Sequence, residues 1–325
     1  MSEPGHHMRA EIAESPDVFA RAVANVPTGL TLPHAFYTVA RGSSDAAANI
    51  LSYEFMRELG LPMTSLPPSI FSVGNGVNLH GATVLVVSQS GASQDLVRSA
   101  KGARTSGATV IGLINQSGSP IEATAHLTLI GAGPELAVPA TKSVIGSIAA
   151  GMALLSALKP AYAPRAAANA RALEVPAHPQ SKSIISALLR ANHVFIIGRD
   201  TGFGAAQELA LKLKETCALH AEAYSSSEVL HGPLQLATNP LLVLILDTGQ
   251  PDVQDSLNTA EARFRAISGS VFRLRPSDVG ASGLTPATAA ALLLYLTYPI
   301  VLATALALGH DPDRPATLSK VTQTT

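Results

Sequence analysis

The sequence predicts an α/β protein made of two doubly wound domains in tandem, each an αβα sandwich with a parallel sheet. Apolar, β-branched runs alternate along the chain with helical segments, and they end in Gly, Ser, Thr or Asp. The four principal runs lie at 34–47, 81–91, 192–206 and 239–250. Near-continuous apolar strands that alternate with helices are typical of a parallel sheet covered on both faces.

An internal repeat indicates two domains instead of one. Residues 37–41 align with 195–199 at an offset of 158 residues, and residues 90–91 align with 248–249 at the same offset. Two separate segments that share one offset indicate that a domain was duplicated. A chain of 325 residues is also long enough for two domains of ordinary size.

The remaining elements follow from the same alternation. Helices are predicted at 45–59, 94–106, 140–158, 204–218 and 253–267, and further strands at 108–113, 127–130 and 270–274. The Ala- and Pro-rich stretch 159–179 is the predicted connector, with a short helix inside it. We therefore expect an N-terminal helical segment (1–30), a first domain (31–165), a second domain (166–310) and a C-terminal tail (311–325).

The composition argues against several classes of function. A net charge of −1 provides no electrostatic attraction for nucleic acid or for an anionic membrane. The one cysteine, Cys217, excludes an intrachain disulfide and a multi-cysteine metal site, which fits a reducing compartment. The N-terminus lacks the apolar stretch of a secretory signal. We therefore expect a cytoplasmic protein that binds neither nucleic acid nor membranes.

One apolar segment has two interpretations. The run 286–308 is uncharged and long enough to cross a bilayer, which takes about 20 residues. It contains Pro299, is rich in Ala and Thr, and is followed by HDPDRP instead of a basic anchor. The favoured interpretation is a helix buried on all sides at the interface of a homodimer, and a membrane anchor is the alternative.

Short polar residues follow two strands of the first half. The segment 88–93 (SQSGAS) ends one strand, and 42–44 (GSS) follows another. Ligands of open parallel sheets lie beyond the carboxyl ends of the strands, where helix N-termini, hydroxyls and glycines can cradle an anion. Serines also cap helices, but two such turns at adjoining strand ends favour a phosphate site. Its expected donors are Ser88, Gln89, Ser90 and Ser93, with a second set in Gly42, Ser43 and Ser44.

Acid–base residues are concentrated in the second half. Lys212 and Glu215 share one face of a predicted helix, and they are followed by His220, Glu222, Tyr224, Glu228 and His231. A Lys–Glu pair at this spacing is usually a solvated salt bridge, but such a density of titratable groups in a charge-poor chain also indicates a site. His231 precedes Gly-Pro on a constrained turn, where it can transfer protons near neutral pH.

Other chemistries have little support in the sequence. The segment 198–204 (GRDTGFG) lacks the GxGxxG spacing of dinucleotide-binding proteins, and His220 with Glu222 does not form an HExxH pair. The second-half counterparts of the serine turns contain Asp200 and Asp247, whose charges would repel phosphate. Cys217 is expected to be a small buried hydrophobic residue. We therefore expect neither a metal nor a cofactor.

The chain resembles the sugar isomerase (SIS) family from residue 36 to residue 324. The shared motifs are RGSS at 41–44, SQSG at 88–91, VPATK at 138–142, the block from KLKE to HGP at 212–233, and LSKVT at 318–322. It is similar to proteins with two tandem SIS domains, namely the isomerase half of glucosamine-6-phosphate synthase and the stand-alone phosphosugar isomerases and deaminases. The resemblance implies an enzyme that acts on a hexose 6-phosphate or an amino-sugar phosphate.

The same resemblance implies roles for individual residues. The implied substrate-binding set is Gly42, Ser43, Ser44, Ser88, Gln89, Ser90, Ser93 and Val138. Glu215 is implied as the base that moves a proton between C1 and C2, with Lys212 stabilising charge nearby. His231 is implied to open the sugar ring, reaching in from the neighbouring subunit of a homodimer, and Lys320 to close over the open-chain sugar. Such an aldose–ketose shift requires no metal.

Two residues and one domain depart from the synthase pattern. Ala92 and Ala140 stand where an acidic residue and a serine are usual, and the glutaminase domain that would supply ammonia is absent from this sequence. The expected reaction is therefore the releasing one, from glucosamine 6-phosphate to fructose 6-phosphate and ammonia. The alternatives are a fructosamine-6-phosphate deglycase, an isomerase of another amino-sugar phosphate, and a non-catalytic sugar-phosphate sensor. Glu215, His231 and Lys320 together favour catalysis, because a sensor has no use for a proton shuttle.

Overall fold

The computed structural model describes residues 3–267 and 270–320 and divides into two compact units. The first unit comprises Ser15–Glu135, Lys142–Arg171 and Ser319–Thr325, and the second comprises Met1–Glu14, Leu136–Thr141 and Ala172–Leu318. Each unit contains one parallel sheet. The prediction of two parallel α/β domains in tandem is therefore confirmed.

The first unit has a five-stranded sheet in the order β2-β1-β3-β4-β5. The helices of this half of the chain are α1 (His6–Ala24), α2 (Gly42–Leu59), α3 (Ser69–Ser72), α4 (Gln94–Thr105), α5 (Lys142–Leu158) and α6 (Ala163–Ala168). The strands are β1 (Phe36–Val39), β2 (Met63–Ser65), β3 (Thr83–Ser88), β4 (Thr109–Ile114) and β5 (His126–Leu129), and a 3-10 turn lies at Pro120–Ala123. β3 is buried along its whole length, and its Val84 and Val86 pack with Leu96 of α4 in the core.

The second unit has a four-stranded parallel sheet in the order β7-β6-β8-β9. Its strands are β6 (His193–Gly198), β7 (His220–Ser225), β8 (Leu242–Leu246) and β9 (Ser270–Leu274), and its helices are α7 (Ser181–Leu188), α8 (Thr201–Cys217), α9 (Gln254–Ile267) and α10 (Pro286–Ala307). Single 3-10 turns lie at Glu228–His231, Pro233–Thr238, Pro251–Val253 and Pro276–Val279. Phe195, Ile245 and Phe264 are central to the core on one face of this sheet.

Several elements differ from the sequence pattern, among them two strands and the start of one helix. The pattern does not predict β2 or β7, which are the edge strands of their sheets. An edge strand pairs on one side only, so it needs no continuous apolar run. α8 begins at Thr201, three residues before the predicted start, because the Asp200 carboxylate accepts the Thr201 N–H at 2.7 Å. Asp200 has a φ of 57°, a strained conformation for a residue with a side chain.

The apolar segment at 286–308 forms α10, which packs on α8. Within the described ranges it is the one helix that is long and apolar enough to cross a membrane, and 78% of its most apolar window is buried inside the structure. Burial of this kind is typical of the central helix of a globular domain. Because a single chain already covers most of α10, this helix does not need a second chain to bury it.

Candidate functional site

The two serine-containing turns border the switch point of the first sheet. β1 and β3 are neighbours, but the chain continues from β1 to β2 on one side and from β3 to β4 on the other. A switch point of this kind opens a crevice beyond the carboxyl ends of the two strands, where open α/β sheets bind their ligands. Residues 42–44 follow β1 and residues 88–93 follow β3, so the strand ends adjoin as the sequence predicted.

Serine hydroxyls shape the turn after β3. Ser88 Oγ accepts the Gly91 N–H at 3.1 Å, and Ser90 Oγ accepts the Ala92 N–H at 3.2 Å. Gly91 has a φ of 61°, and a Cβ at this position would lie 2.4 Å from Ser119 Oγ. Only glycine fits here, because both the backbone conformation and the space exclude a side chain. The turn is therefore compact and exposes backbone and hydroxyl groups within a few residues.

Helix capping does not account for the other serines of these turns. Ser93 is the N-cap residue of α4, yet its hydroxyl forms no capping hydrogen bond. Ser43 and Ser44 lie inside the first turn of α2, whose N-cap residue is Arg41. All three are half-buried. A hydroxyl that does not cap its helix can hydrogen-bond a bound anion beside the helix N-terminus.

Arg41 joins the two turns and was not among the predicted site residues. Its Nε donates to Asp95 Oδ2 at 3.0 Å, from the turn after β1 to the first turn of α4. The Asp95 side chain is buried, while more than half of the Arg41 side chain is exposed. The crevice therefore has a guanidinium at its border, in addition to the hydroxyls and helix N-termini that the sequence predicted. The signal was available, since Arg41 directly precedes the GSS segment.

We expect Ser93→Ala to weaken binding of inorganic phosphate and glucosamine 6-phosphate by about tenfold, because one hydrogen bond to a charged group is lost. The Tm should stay unchanged, because the Ser93 hydroxyl does not cap α4. The matched control is Thr285→Ala, which removes the cap that Thr285 provides to the Thr288 N–H of α10. Losing that cap costs about 1 kcal/mol, so the control should lower the Tm and leave the affinity unchanged. Calorimetric titration and thermal melts measure both. A lower Tm with unchanged affinity in Ser93→Ala would make Ser93 a structural residue.

The second unit has a lysine buried between two carboxylates. Lys212 lies in α8 with its side chain fully buried, and its Nζ is ion-paired with Glu215 and lies 3.6 Å from Glu208 Oε1. The Glu208 side chain is also fully buried, and that of Glu215 is 23% exposed. A buried ammonium is tolerated only where carboxylates compensate its charge. This pair is thus not the solvated salt bridge that the i,i+3 spacing usually forms.

Glu208 is the functional candidate that the sequence analysis missed. It lies four residues before Lys212 on the same face of α8, and Tyr298 of α10 donates its Oη to Glu208 Oε1 at 3.3 Å. The signal was the spacing of acid, base and acid at 208, 212 and 215, which places all three on one helical face. The arrangement leaves Glu215 as the most exposed of the three.

The dense acid–base block of the sequence does not form a single cluster. β7 places His220, Glu222 and Tyr224 on one face of an edge strand, where Tyr224 donates to Glu222 Oε2 at 2.5 Å. This hydrogen bond, together with burial, raises the pKa of Tyr224 to about 12. Tyr224 also packs edge-on against Phe195 of β6. These groups support the edge of the sheet.

His231 and the Glu208–Lys212–Glu215 cluster of α8 lie at opposite ends of β7. β7 begins directly after α8, and the 3-10 turn Glu228–His231 lies beyond its last residue. The His231 side chain is exposed and forms no hydrogen bond or ion pair within the part of the chain that the structure describes. A strand of six residues is roughly 20 Å long. Glu215 and His231 of one chain therefore lie at opposite ends of the strands of the second sheet. Proximity in the sequence therefore does not bring Glu215 and His231 together within one chain.

At the carboxyl end of the second sheet, charged side chains form hydrogen bonds and ion pairs with one another. The buried Asp247 carboxylate, just after β8, accepts hydrogen bonds from Gln254, the Gly249 N–H and Arg273. Burial by itself would raise the pKa of Asp247, but these hydrogen bonds and the Arg273 charge outweigh it and lower the pKa. At the matching position of the first sheet stands the serine turn. The duplicated halves thus differ in the chemistry of this edge.

The two remaining predicted site residues lie on the 130s loop and the tail. The Val138 N–H donates to the Asp313 backbone oxygen at 3.1 Å. Lys320 is ion-paired with Glu135 at 3.1 Å. Val321 and Thr322, the last residues of the LSKVT motif, lie outside the described residues.

Cys217 has the environment of a core residue. It is buried, and burial raises the pKa of its thiol to about 11, so the prediction of a small buried hydrophobic residue is confirmed. Among the described residues, no group of three or more His, Cys, Asp or Glu side chains could hold a metal ion.

The comparison with known families agrees with this geometry. The SIS domain matches residues 30–157 and 187–271, which is more than half of the chain. The protein therefore belongs to the SIS domain family, and the resemblance noted from its motifs is confirmed.

Two curated relatives are similar to most of this chain. The glutamine–fructose-6-phosphate aminotransferase (isomerizing) of Aeropyrum pernix is 30% identical over 97% of this chain and 57% of the relative. The protein of the same name from Symbiobacterium thermophilum is 30% identical over 87% of this chain and 50% of the relative. The chain thus spans about half the length of these relatives.

Solved structures show the same fold. A candidate phosphosugar isomerase from Silicibacter pomeroyi superposes with a TM-score of 0.76 at 33% identity, over 94% of this chain and 99% of that chain. Glucosamine-6-phosphate deaminase from Thermotoga maritima has a TM-score of 0.76 at 19% identity, over 98% of this chain and all of that chain (100%). At 19% identity the second likeness shows the fold alone.

Proposed function

We propose that the protein is a phosphosugar isomerase that releases ammonia, converting glucosamine 6-phosphate and water to fructose 6-phosphate and ammonia. The observation that carries the proposal is the Glu208–Lys212–Glu215 cluster, a buried ammonium beside one partly exposed carboxylate. An aldose–ketose shift needs a carboxylate that can both take and return a proton, with a cation that stabilises the charge developing on the neighbouring oxygen. A sugar-phosphate sensor would need neither group.

The substrate class follows from the switch point and the relatives. The crevice of the first sheet has hydroxyls at Ser43, Ser44 and Ser93 that make no hydrogen bond to the described residues, and they lie beside two helix N-termini, which suit a phosphate. The names of the relatives pair fructose 6-phosphate with amino transfer in one case and glucosamine 6-phosphate with deamination in the other. Both reactions concern a sugar phosphorylated at C6 that exchanges an amino group. Ser88, Gln89, Ser90 and the Gly42 and Val138 backbone complete the proposed binding set.

The proposed reaction moves a proton from C2 to C1 and replaces the amino group with oxygen from water. His231 opens the sugar ring, which exposes the C1 aldehyde next to the C2 carbon that carries the amino group. Glu215 removes the C2 proton, and Lys212 stabilises the negative charge that develops on the C1 oxygen. Glu215 returns the proton to C1, and a second proton passes from the amino nitrogen to the C1 oxygen, so that C1 becomes CH2OH and C2 becomes an imine. Water adds to the imine at C2, ammonia leaves, and the ketone of fructose 6-phosphate remains.

Two parts of the proposal concern residues outside the α8 cluster. Because Glu215 and His231 of one chain lie at opposite ends of the strands of the second sheet, we propose that the ring-opening His231 is supplied by a second copy in a homodimer. Lys320 is proposed to act on the open-chain sugar. Mixing two inactive variants, Glu215→Gln and His231→Gln, tests the shared arrangement, because mixed dimers should regain part of the activity.

The first test is release of ammonia from glucosamine 6-phosphate by the purified protein, with N-acetylglucosamine 6-phosphate and fructose 6-phosphate as controls. Ammonia and fructose 6-phosphate should appear in equal amounts, and only with the free amino sugar. Binding without ammonia release would redirect the search to fructosamine 6-phosphate or another amino-sugar phosphate. Binding of sugar phosphates with turnover of none of them would contradict the enzyme and favour a sensor.

A further inference from the structure

The tail lysine of the first unit is held by a buried carboxylate. Lys320 Nζ lies 3.1 Å from Glu135 Oε2, and the Glu135 side chain is fully buried. Ser143, in the first turn of α5, donates to the same carboxylate twice, from its N–H to Oε1 at 3.1 Å and from its Oγ to Oε2 at 2.7 Å. An ammonium and two neutral donors therefore converge on one carboxylate.

The ion pair of Lys320 differs from an ordinary surface salt bridge. Surface pairs contribute little, because water screens both partners. A fully buried carboxylate is costly to leave uncompensated, so the position of its ammonium partner matters to the folded chain. Lys320 itself is 26% exposed and reaches Glu135 from the tail. The contact thus joins Lys320 to a residue 185 positions away in the sequence, in the loop between β5 and α5.

Hydrogen bonds connect this ion pair with the phosphate-binding turn. The loop that leads from β5 to Glu135 is held by the Asn115 side chain, which donates to the Gly133 oxygen at 2.8 Å and accepts the Ala132 N–H at 2.8 Å. The Asn115 N–H donates to the Gln89 oxygen at 3.2 Å. The segment that contains Glu135 and the turn that contains Gln89 are thus joined along the carboxyl edge of the first sheet.

We propose that Glu135 is a positioning residue for Lys320, and that it holds the tail ammonium at this edge before substrate arrives. The role in catalysis rests on the proposed function, in which Lys320 acts on the open-chain sugar. An ammonium bound by Glu135 does not have to be recruited from solvent for each turnover, because its ion pair is already formed in the substrate-free chain. Ser143 fixes the carboxylate that does this.

Chemical labelling tests the ion pair without any activity. Reductive methylation of the substrate-free protein, followed by peptide mass spectrometry, measures the reactivity of each lysine. We expect Glu135→Gln to raise the labelling rate of Lys320 by about tenfold, the effect of losing one charged hydrogen bond, while the exposed Lys101 and Lys182 stay unchanged. Equal labelling of Lys320 in the wild type and in Glu135→Gln would overturn the proposal.

Glu58→Gln is the matched control. Glu58 is an ion-paired glutamate of the same unit, with Lys159 Nζ at 3.1 Å from its Oε2. This variant should raise labelling of Lys159 and leave Lys320 unchanged. If Glu135→Gln does not fold, Ser143→Ala removes one donor to the carboxylate without removing its charge. Its expected result is a smaller rise in Lys320 labelling, and no rise would count against the proposal.

Kinetics test the positioning role separately. Glu135→Gln and Lys320→Met should each lower kcat for the amino-sugar phosphate, and the double variant should be no slower than Lys320→Met alone, because both changes remove one function. Additive losses would overturn the positioning role. If the wild type turns over no sugar phosphate, the proposed function fails, while the labelling result still decides whether Glu135 holds Lys320.

Discussion

Replacing Glu215 with Gln should lower turnover of glucosamine 6-phosphate by about a thousandfold while the Kd for the sugar phosphate stays nearly unchanged. Gln has the shape of Glu and can still accept a hydrogen bond from Lys212, but it cannot take a proton from C2 and return it to C1. Glu215 is 23% exposed and its neighbours in the cluster are fully buried, so the substitution removes a reacting group with little loss of packing. The loss should therefore fall on kcat.

The matched control for this prediction is Glu222→Gln on β7. Glu222 is a half-buried glutamate of the same sequence block, and its partner is the Tyr224 hydroxyl. Steady-state kinetics and calorimetric binding of both variants, with thermal melts to verify folding, separate the two residues. Glu222→Gln should retain most of the wild-type kcat. Parallel loss of binding and rate in Glu215→Gln would indicate that Glu215 is a structural residue.

The strand and helix pattern was predictable where burial dictates it. β3, β6 and β8 are buried on both faces and therefore appear in the sequence as apolar runs. β7 was missed because an edge strand with His220, Glu222 and Tyr224 on one face has the composition of a polar loop. Its presence separates His231 from Glu215, which lie 16 residues apart in the sequence. Sequence proximity cannot show such a separation.

The candidate site was predictable to the extent that it depends on local sequence. The serine turns lie at adjoining strand ends because strand order in a doubly wound sheet follows from the alternation of elements. Two contacts depend instead on tertiary packing. Arg41 reaches Asp95 across 54 residues, and Lys320 reaches Glu135 across 185. No pattern in the chain specifies either pair, because each partner alone has the composition of a surface charge.

Replacing Lys212 with Met should destabilise the second unit by about 3–5 kcal/mol, the cost typical of breaking a buried ion pair from one side. Met fills most of the volume of the lysine stem, so the loss comes mainly from the charge. Two carboxylates, Glu208 and Glu215, would then share one helix face without an ammonium between them.

Lys214→Met is the control for the change of residue type, because Lys214 lies two positions further along α8 and is exposed. Urea unfolding should show only a small effect for Lys214→Met. Glu208→Gln in the Lys212→Met background should restore part of the lost stability, since it removes a buried negative charge that has lost its ammonium. If Lys212→Met is as stable as Lys214→Met, the ammonium does not hold the cluster together. The assignment of Lys212 as the cation beside the proton-transfer carboxylate would then lose its structural basis.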